Sequence, residues 1–170
     1  VEYADGTTQT FASDESWKYS KKTPYTFCSW YGGEDYDANI ATQESLQKDV
    51  DSWHNAVLCT ESIGKLKAQY YQPTDVVETW HPVSVKAINN GDYLLDFGQN
   101  FAGQYEFTLK GEKGQTIQMW PAELLNAQGS IDQSEIGTPV YDQYTFSGEA
   151  NGETWGPTLV YHGFRYLLVK

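Results

Sequence analysis

Residues 32–39 read Gly32-Gly33-Glu34-Asp35-Tyr36-Asp37-Ala38-Asn39 and place three carboxylates and one amide within a few positions of each other. A hard cation such as calcium takes roughly six to eight oxygens, from carboxylates, amide carbonyls and backbone carbonyls. Like charges crowded into one loop repel unless a cation or solvent relieves them, and the paired glycines let the chain bend sharply. The spacing is not that of an EF-hand. The residues alone leave two readings open, a cation site and a solvated acidic loop.

Other chemistry has less support. His54, His81 and His162 stand far apart, and none has metal-ligand spacing to another His or Cys. His162 lies in Tyr161-His162-Gly163-Phe164-Arg165-Tyr166, a strand-turn-strand context that suits a hydrogen-bonded structural role. There is no Gly-x-Ser-x-Gly nucleophile elbow and no phosphate-cradling glycine motif. Cys28 and Cys59 are too few for a disulfide framework; they could pair in an exported protein or stand as two buried free thiols. The six tryptophans can fill a core or stack on the C–H faces of sugar rings.

The elements that must position these residues follow a period of two. Tyr105, Phe107 and Leu109 alternate with polar neighbours, and Ile117 and Met119 do the same, with Lys110-Gly111-Glu112-Lys113-Gly114 between them as a hairpin-like connection. Further strands are expected at 7–13, 25–31, 66–71, 79–87, 93–97, 141–146, 158–161 and 164–169. Turn signals such as Asp5-Gly6 and Asn89-Asn90-Gly91-Asp92 separate several of them. The one helical patch sets Leu46, Val50 and Trp53 on one face with Thr42 as N-cap. Short strands at such intervals predict an all-β chain, an antiparallel β-sandwich of jelly-roll type, folded as one domain over 1–170.

Composition narrows the partners. Eleven Lys and Arg against 23 Asp and Glu give a net charge of -12, which leaves no electrostatic footprint for nucleic acid or an anionic membrane. No apolar run reaches the roughly 18 residues of a membrane-spanning helix. The chain opens Val1-Glu2-Tyr3 without the charged and apolar segments of a signal peptide, as a processed protein or a piece of a longer one would.

Several strings together resemble the non-catalytic β-sandwich domains of α-L-rhamnosidases of glycoside hydrolase family 78. They are Tyr3-Ala4-Asp5-Gly6-Thr7, Ser13-Asp14-Glu15-Ser16-Trp17-Lys18, Gly33-Glu34-Asp35-Tyr36-Asp37-Ala38, Asp96-Phe97-Gly98-Gln99-Asn100-Phe101-Ala102-Gly103, Ala122-Glu123-Leu124-Leu125, Thr154-Trp155-Gly156-Pro157 and the His162 string. The order and spacing hold along nearly the whole chain. In that family the catalytic acids belong to a separate helical barrel, so the resemblance implies an accessory domain, not an enzyme, tethered to a catalytic domain. One class of these sandwiches, carbohydrate-binding module family 67, holds L-rhamnose through calcium.

The resemblance implies Asp37, Asn39, Gln69 and the carbonyl of Pro73 as calcium ligands, with Glu34 as ligand or nearby acceptor. Asn39 stands where many non-binding relatives carry Arg. Tyr36, Trp53 and Tyr70 would meet the apolar face and methyl group of the sugar. The implied partner is L-rhamnose or a rhamnose-capped polysaccharide, met by a secreted protein. The alternatives are a structural sandwich without a ligand, and a lyase using Tyr36 or His81 as base on a rhamnose-capped polysaccharide.

Overall fold

The computed structural model describes residues 1–40, 53–61, 64–65, 67–88, 91–136 and 139–170. Strands follow in the order β1 (Lys18–Tyr19), β2 (Tyr25–Ser29), β3 (Gly33–Asp37), β4 (His54–Asn55), β5 (Ser84–Ala87), β6 (Tyr93–Gly103), β7 (Phe107–Leu109), β8 (Thr116–Ala122), β9 (Leu124–Leu125), β10 (Ile131–Asp132), β11 (Asp142–Thr145), β12 (Glu153–Trp155) and β13 (His162–Val169). A 3-10 turn spans Ser134–Ile136. No helix among them is long and apolar enough to cross a membrane. The predicted helical patch lies outside the described residues, apart from Trp53.

The chain divides into two compact units, Val1–Lys22 with Gln43–Asp75, and Thr23–Thr42 with Val76–Lys170. In the first, β1 pairs antiparallel with β4 and Glu2 bridges Thr8. The second unit is the β-sandwich. A seven-stranded sheet runs β2-β3-β11-β8-β13-β6-β5, while β12 and β7 form a separate pair. All pairings are antiparallel except β3 with β11. A parallel neighbour needs a long crossover rather than a turn, and more than a hundred residues separate these two strands. The all-β, jelly-roll expectation holds.

Strand periodicity explains where the core sits. Along β11, Asp142 and Tyr144 are buried while Gln143 and Thr145 are half-exposed, the alternation of a sheet with one face inward. Tyr105, Met119, Tyr144, Phe146, Trp155, Phe164 and Leu167 form one apolar cluster, dense in tilted and edge-to-face ring pairs such as Phe97–Phe164 and Tyr144–Phe146.

Four sequence expectations need correction. Residues 110–114 do not join a hairpin: β7 pairs with β12, and β8 with β11 and β13. Gly111 lies so close to the Phe146 ring that a Cβ would meet it at 2.4 Å, so the chain there crosses the edge of the core between layers. Residues 158–161 form no strand because Thr158 and Leu159 spend their N–H groups on the Glu34 carboxylate. Residues 7–13 bond locally instead, Thr7 to the Asp5 carboxylate and Gln9 to the Val1 carbonyl. The described part of 66–71 is irregular, and the structure gives no physical reason for it.

Gly33 shows how tightly β3 is seated. Its φ is +123° and a Cβ would lie 1.9 Å from the Tyr141 carbonyl oxygen, a contact that backbone alone makes and that no side chain can relieve. Gly114 has φ +82° with open space around it. We expect Gly114→Ala to cost about 1 kcal/mol for the left-handed backbone alone and Gly33→Ala about 3 kcal/mol or more. Urea unfolding of the two variants checks this, and equal losses would refute the seating of β3.

Candidate functional site

The acidic stretch expected to be a loop is the strand β3, and the pleat sorts its side chains. Glu34 and Tyr36 face the core while Asp35 and Asp37 face the other way. Glu34 is fully buried. Its backbone N–H donates to Asp142 Oδ1 at 2.8 Å, and its Oε2 accepts from Thr158 N at 3.1 Å and Leu159 N at 2.8 Å. Oε1 has no partner, nor does the buried Oδ1 of Asp35. The Tyr36 ring stacks on Tyr144, with centroids 5.8 Å apart.

Asp142, also fully buried, is the hub. Its Oδ2 faces His162 Nε2 at 2.8 Å and accepts the Tyr105 hydroxyl proton. One carboxylate thus ties β3, β11, β13 and the Tyr105 segment together. A buried charge is tolerated only when it is fully bonded in this way. Burial pushes the Glu34 carboxyl above its usual range; the Leu159 and Thr158 N–H groups pull it down, and the Asp142 charge pushes it up further. Asp35 is raised by burial and then by Asp142. Burial, then the Asp142 charge, holds Tyr105 well above the ordinary phenol value, so it stays a donor. An acid-base pair must reach its substrate. Glu34, Asp142 and Tyr105 are sealed in the core, and their work is to hold strands together.

A second buried carboxylate is bonded to Tyr144. Glu153 accepts the Tyr144 hydroxyl at 2.7 Å and the N–H groups of Ser147, Gly148 and Glu149 at 2.9–3.1 Å. Burial alone would raise it, but these donors outweigh burial and hold it at about 2.

The residues nominated from sequence divide between the two units. Glu34, Tyr36, Asp37 and Asn39 belong to the sandwich; Trp53, Gln69, Tyr70 and Pro73 belong to the first unit. Asp37 ends β3, and its Oδ1 accepts Asn39 N at 2.8 Å and Asn39 Nδ2 at 2.9 Å. The same Nδ2 donates to the Phe146 carbonyl at 2.9 Å. Gln69 Nε2 donates to the Tyr71 carbonyl at 3.0 Å. Both amides thus spend their nitrogens on nearby groups, leaving Asn39 Oδ1, Gln69 Oε1 and Asp37 Oδ2 without donors among the described residues. Tyr70 is exposed and packs on Tyr71. Trp53 is half-buried, with an unpartnered indole nitrogen.

Those oxygens are of the hard type that calcium takes. Glu34 is engaged inside the sheet, and among the described residues no three His, Cys, Asp or Glu side chains gather into a metal-holding group. Cys28 and Cys59 are free thiols, both exposed rather than buried. Of the two alternative bases, Tyr36 lies on β3 with its ring stacked on Tyr144, and His81 is exposed in the segment before β5. Asp142, Tyr105 and Glu153 escaped notice in the sequence. A signal existed: Asp142 shares the inward register of Tyr144 and Phe146, where a charge demands a buried partner.

These bonds set opposite pH dependences. Glu34 has its folded value raised, so its contribution is fully present below the ordinary 4.5 and is lost as pH rises through the folded value. Glu153 has its value depressed, so its contribution is lost as pH falls from 4.5 towards about 2. Glu34→Gln keeps an oxygen for Thr158 and Leu159 and removes the buried charge. We expect the native protein to lose stability relative to Glu34→Gln between acid and neutral pH in urea titrations; parallel curves would contradict this.

Known proteins share this architecture. Residues 1–78 match a family model described as "Alpha-L-rhamnosidase N-terminal domain" and residues 86–170 one described as "Bacterial alpha-L-rhamnosidase concanavalin-like domain". The hairpin β2–β3 falls in the first match but sits in the sheet formed by the second. An alpha-L-rhamnosidase of Formosa agariphila is 33% identical over 100% of this chain and 18% of its own length. One of Streptomyces avermitilis is 30% identical over 99% and 17%. Among solved structures, the alpha-L-rhamnosidase of Dictyoglumus thermophilum aligns with TM-score 0.84 and 32% identity over 99% of this chain and 19% of that one. The Streptomyces avermitilis enzyme complexed with L-rhamnose gives 0.87 and 29% over 99% and 17%. The chain thus spans under a fifth of the curated relatives it matches. With half of its residues inside the second match, the chain belongs to the bacterial alpha-L-rhamnosidase concanavalin-like domain family.

Proposed function

We propose that this chain is a non-catalytic accessory domain of an α-L-rhamnosidase, working outside the cell, that binds terminal L-rhamnose through calcium. One observation carries the reading. Asn39 spends its amide nitrogen on Asp37 and on the Phe146 carbonyl, and Asp37 keeps one oxygen without a donor among the described residues, so the polar atoms left at this turn are acceptors. Asp37 and Asn39, both on the sandwich unit, would hold the cation. Bound calcium would take vicinal sugar hydroxyls in place of water. Asp37 would accept a hydrogen bond from one of those hydroxyls. Affinity should be modest, since one small sugar buries little area.

A second reading is favoured by the same turn. The Asp37–Asn39–Phe146 bonds close the end of β3 without any ion, as they would in a purely structural sandwich.

Calorimetric titration with L-rhamnose separates the two. We expect binding in calcium and none in chelator. Asp37→Asn keeps an oxygen for the Asn39 N–H groups but removes the charge, and should weaken rhamnose binding more than tenfold with little change in melting. Equal binding in chelator, or native affinity in Asp37→Asn, would overturn the calcium reading in favour of the structural one.

A further inference from the structure

At the other end of the sandwich sheet, the string Asp96-Phe97-Gly98-Gln99 has a geometry that its position in a strand does not explain. Gly98 has φ +86°, and its N–H donates to Asp96 Oδ1 at 2.7 Å. Both oxygens of that carboxylate also take Arg165, Nε at 2.8 Å and a terminal guanidinium nitrogen at 2.9 Å. Arg165 stands where the register of β13 against β6 shifts. Val83 N donates to the Asp96 carbonyl at 2.8 Å, and the Val83 methyls pack over Gly98. The kink is therefore fixed from several sides, and a site built on it needs little ordering when a ligand arrives.

The kink and the segment before β5 border a shallow, open groove of about 400 Å³ lined by Trp80, His81, Val83, Phe97, Gly98 and Gln99. Trp80 rests against Phe101, with ring centroids 4.9 Å apart. His81 and Gln99 are exposed, and neither side chain bonds to another described residue. An imidazole and a primary amide each carry donor and acceptor atoms, which matches adjacent hydroxyls, while Trp80 and Phe97 offer apolar surface for C–H groups. No carboxylate, Lys or Arg lines the groove, and a net charge of -12 repels polyanions.

We propose that this groove is a second saccharide site that takes a neutral sugar ring without calcium. Four strand spacings separate β6 from β3, about 19 Å at about 4.8 Å each, so one ring cannot occupy both this groove and the Asp37 turn. A chain of several sugars could span them.

The test is an NMR titration with methyl α-L-rhamnoside and methyl β-D-galactoside in chelator, following the Trp80 indole and Gln99 side-chain amide signals. We expect saturable shifts with at least one sugar, unchanged in Asp37→Asn. The double variant His81→Ala/Gln99→Ala, at two exposed positions, should bind about tenfold more weakly. The proposal is overturned if neither sugar moves these signals, or if the double variant responds like the native protein. It is also overturned if the shifts require calcium, an outcome that leaves the Asp37 reading intact. Shifts that persist while the calcium-linked heat of L-rhamnose binding is absent support the groove and sink that reading alone.

Discussion

Everything described in the sandwich depends on one buried carboxylate being fully bonded. Asp142 faces the Glu34 N–H, His162 and Tyr105, groups supplied by segments far apart in the chain. Leaving any of these polar groups unpaired in the core would cost about 1–3 kcal/mol. The network therefore fixes which strands are neighbours as well as adding stability. It recruits β3 into a parallel pairing beside β11, and Gly33 is the residue that lets the backbone come close enough.

That placement decides what the acidic stretch can do. The pleat draws Glu34 inward to accept Thr158 and Leu159, and leaves Asp37 and Asn39 at the strand end as a turn closed onto the Phe146 carbonyl. The interior is thus acidic by construction, with Glu34, Asp142 and Glu153 all buried. Of these, Glu153 is held low by its four donors, while burial raises Glu34. The rhamnosidase relatives share the frame over the whole length of this chain.

The period-two pattern made much of the sandwich legible: β8 and β11 lie where apolar and polar residues alternate, and the inward residues of β11 are those the alternation selects, whereas β13 is a nearly continuous apolar run with Leu167 and Leu168 both buried. The strand β3 was not legible, because three acids in a short run argue against burial unless the partner is known, and the partner lies 108 residues away. Residues 158–161 are of β-forming types, yet the N–H groups of Thr158 and Leu159 serve a side chain instead of a ladder. The His162 string pointed to a hydrogen-bonded structural role, which its bond to Asp142 bears out. The link from Asp96 to Arg165 was invisible for the same reason as Glu34 to Asp142, since both bonds join residues that only the folded sheet brings together.

The claim that the Asp142 network holds the sandwich together is tested most directly by native-state hydrogen exchange at the amides of Glu34, Thr158 and Leu159. If these N–H groups are bound to buried carboxylates, they should exchange only through global unfolding and fall in the slowest class, with the β8 and β13 amides. Exchange as fast as that of the exposed Gly114 turn would contradict the account.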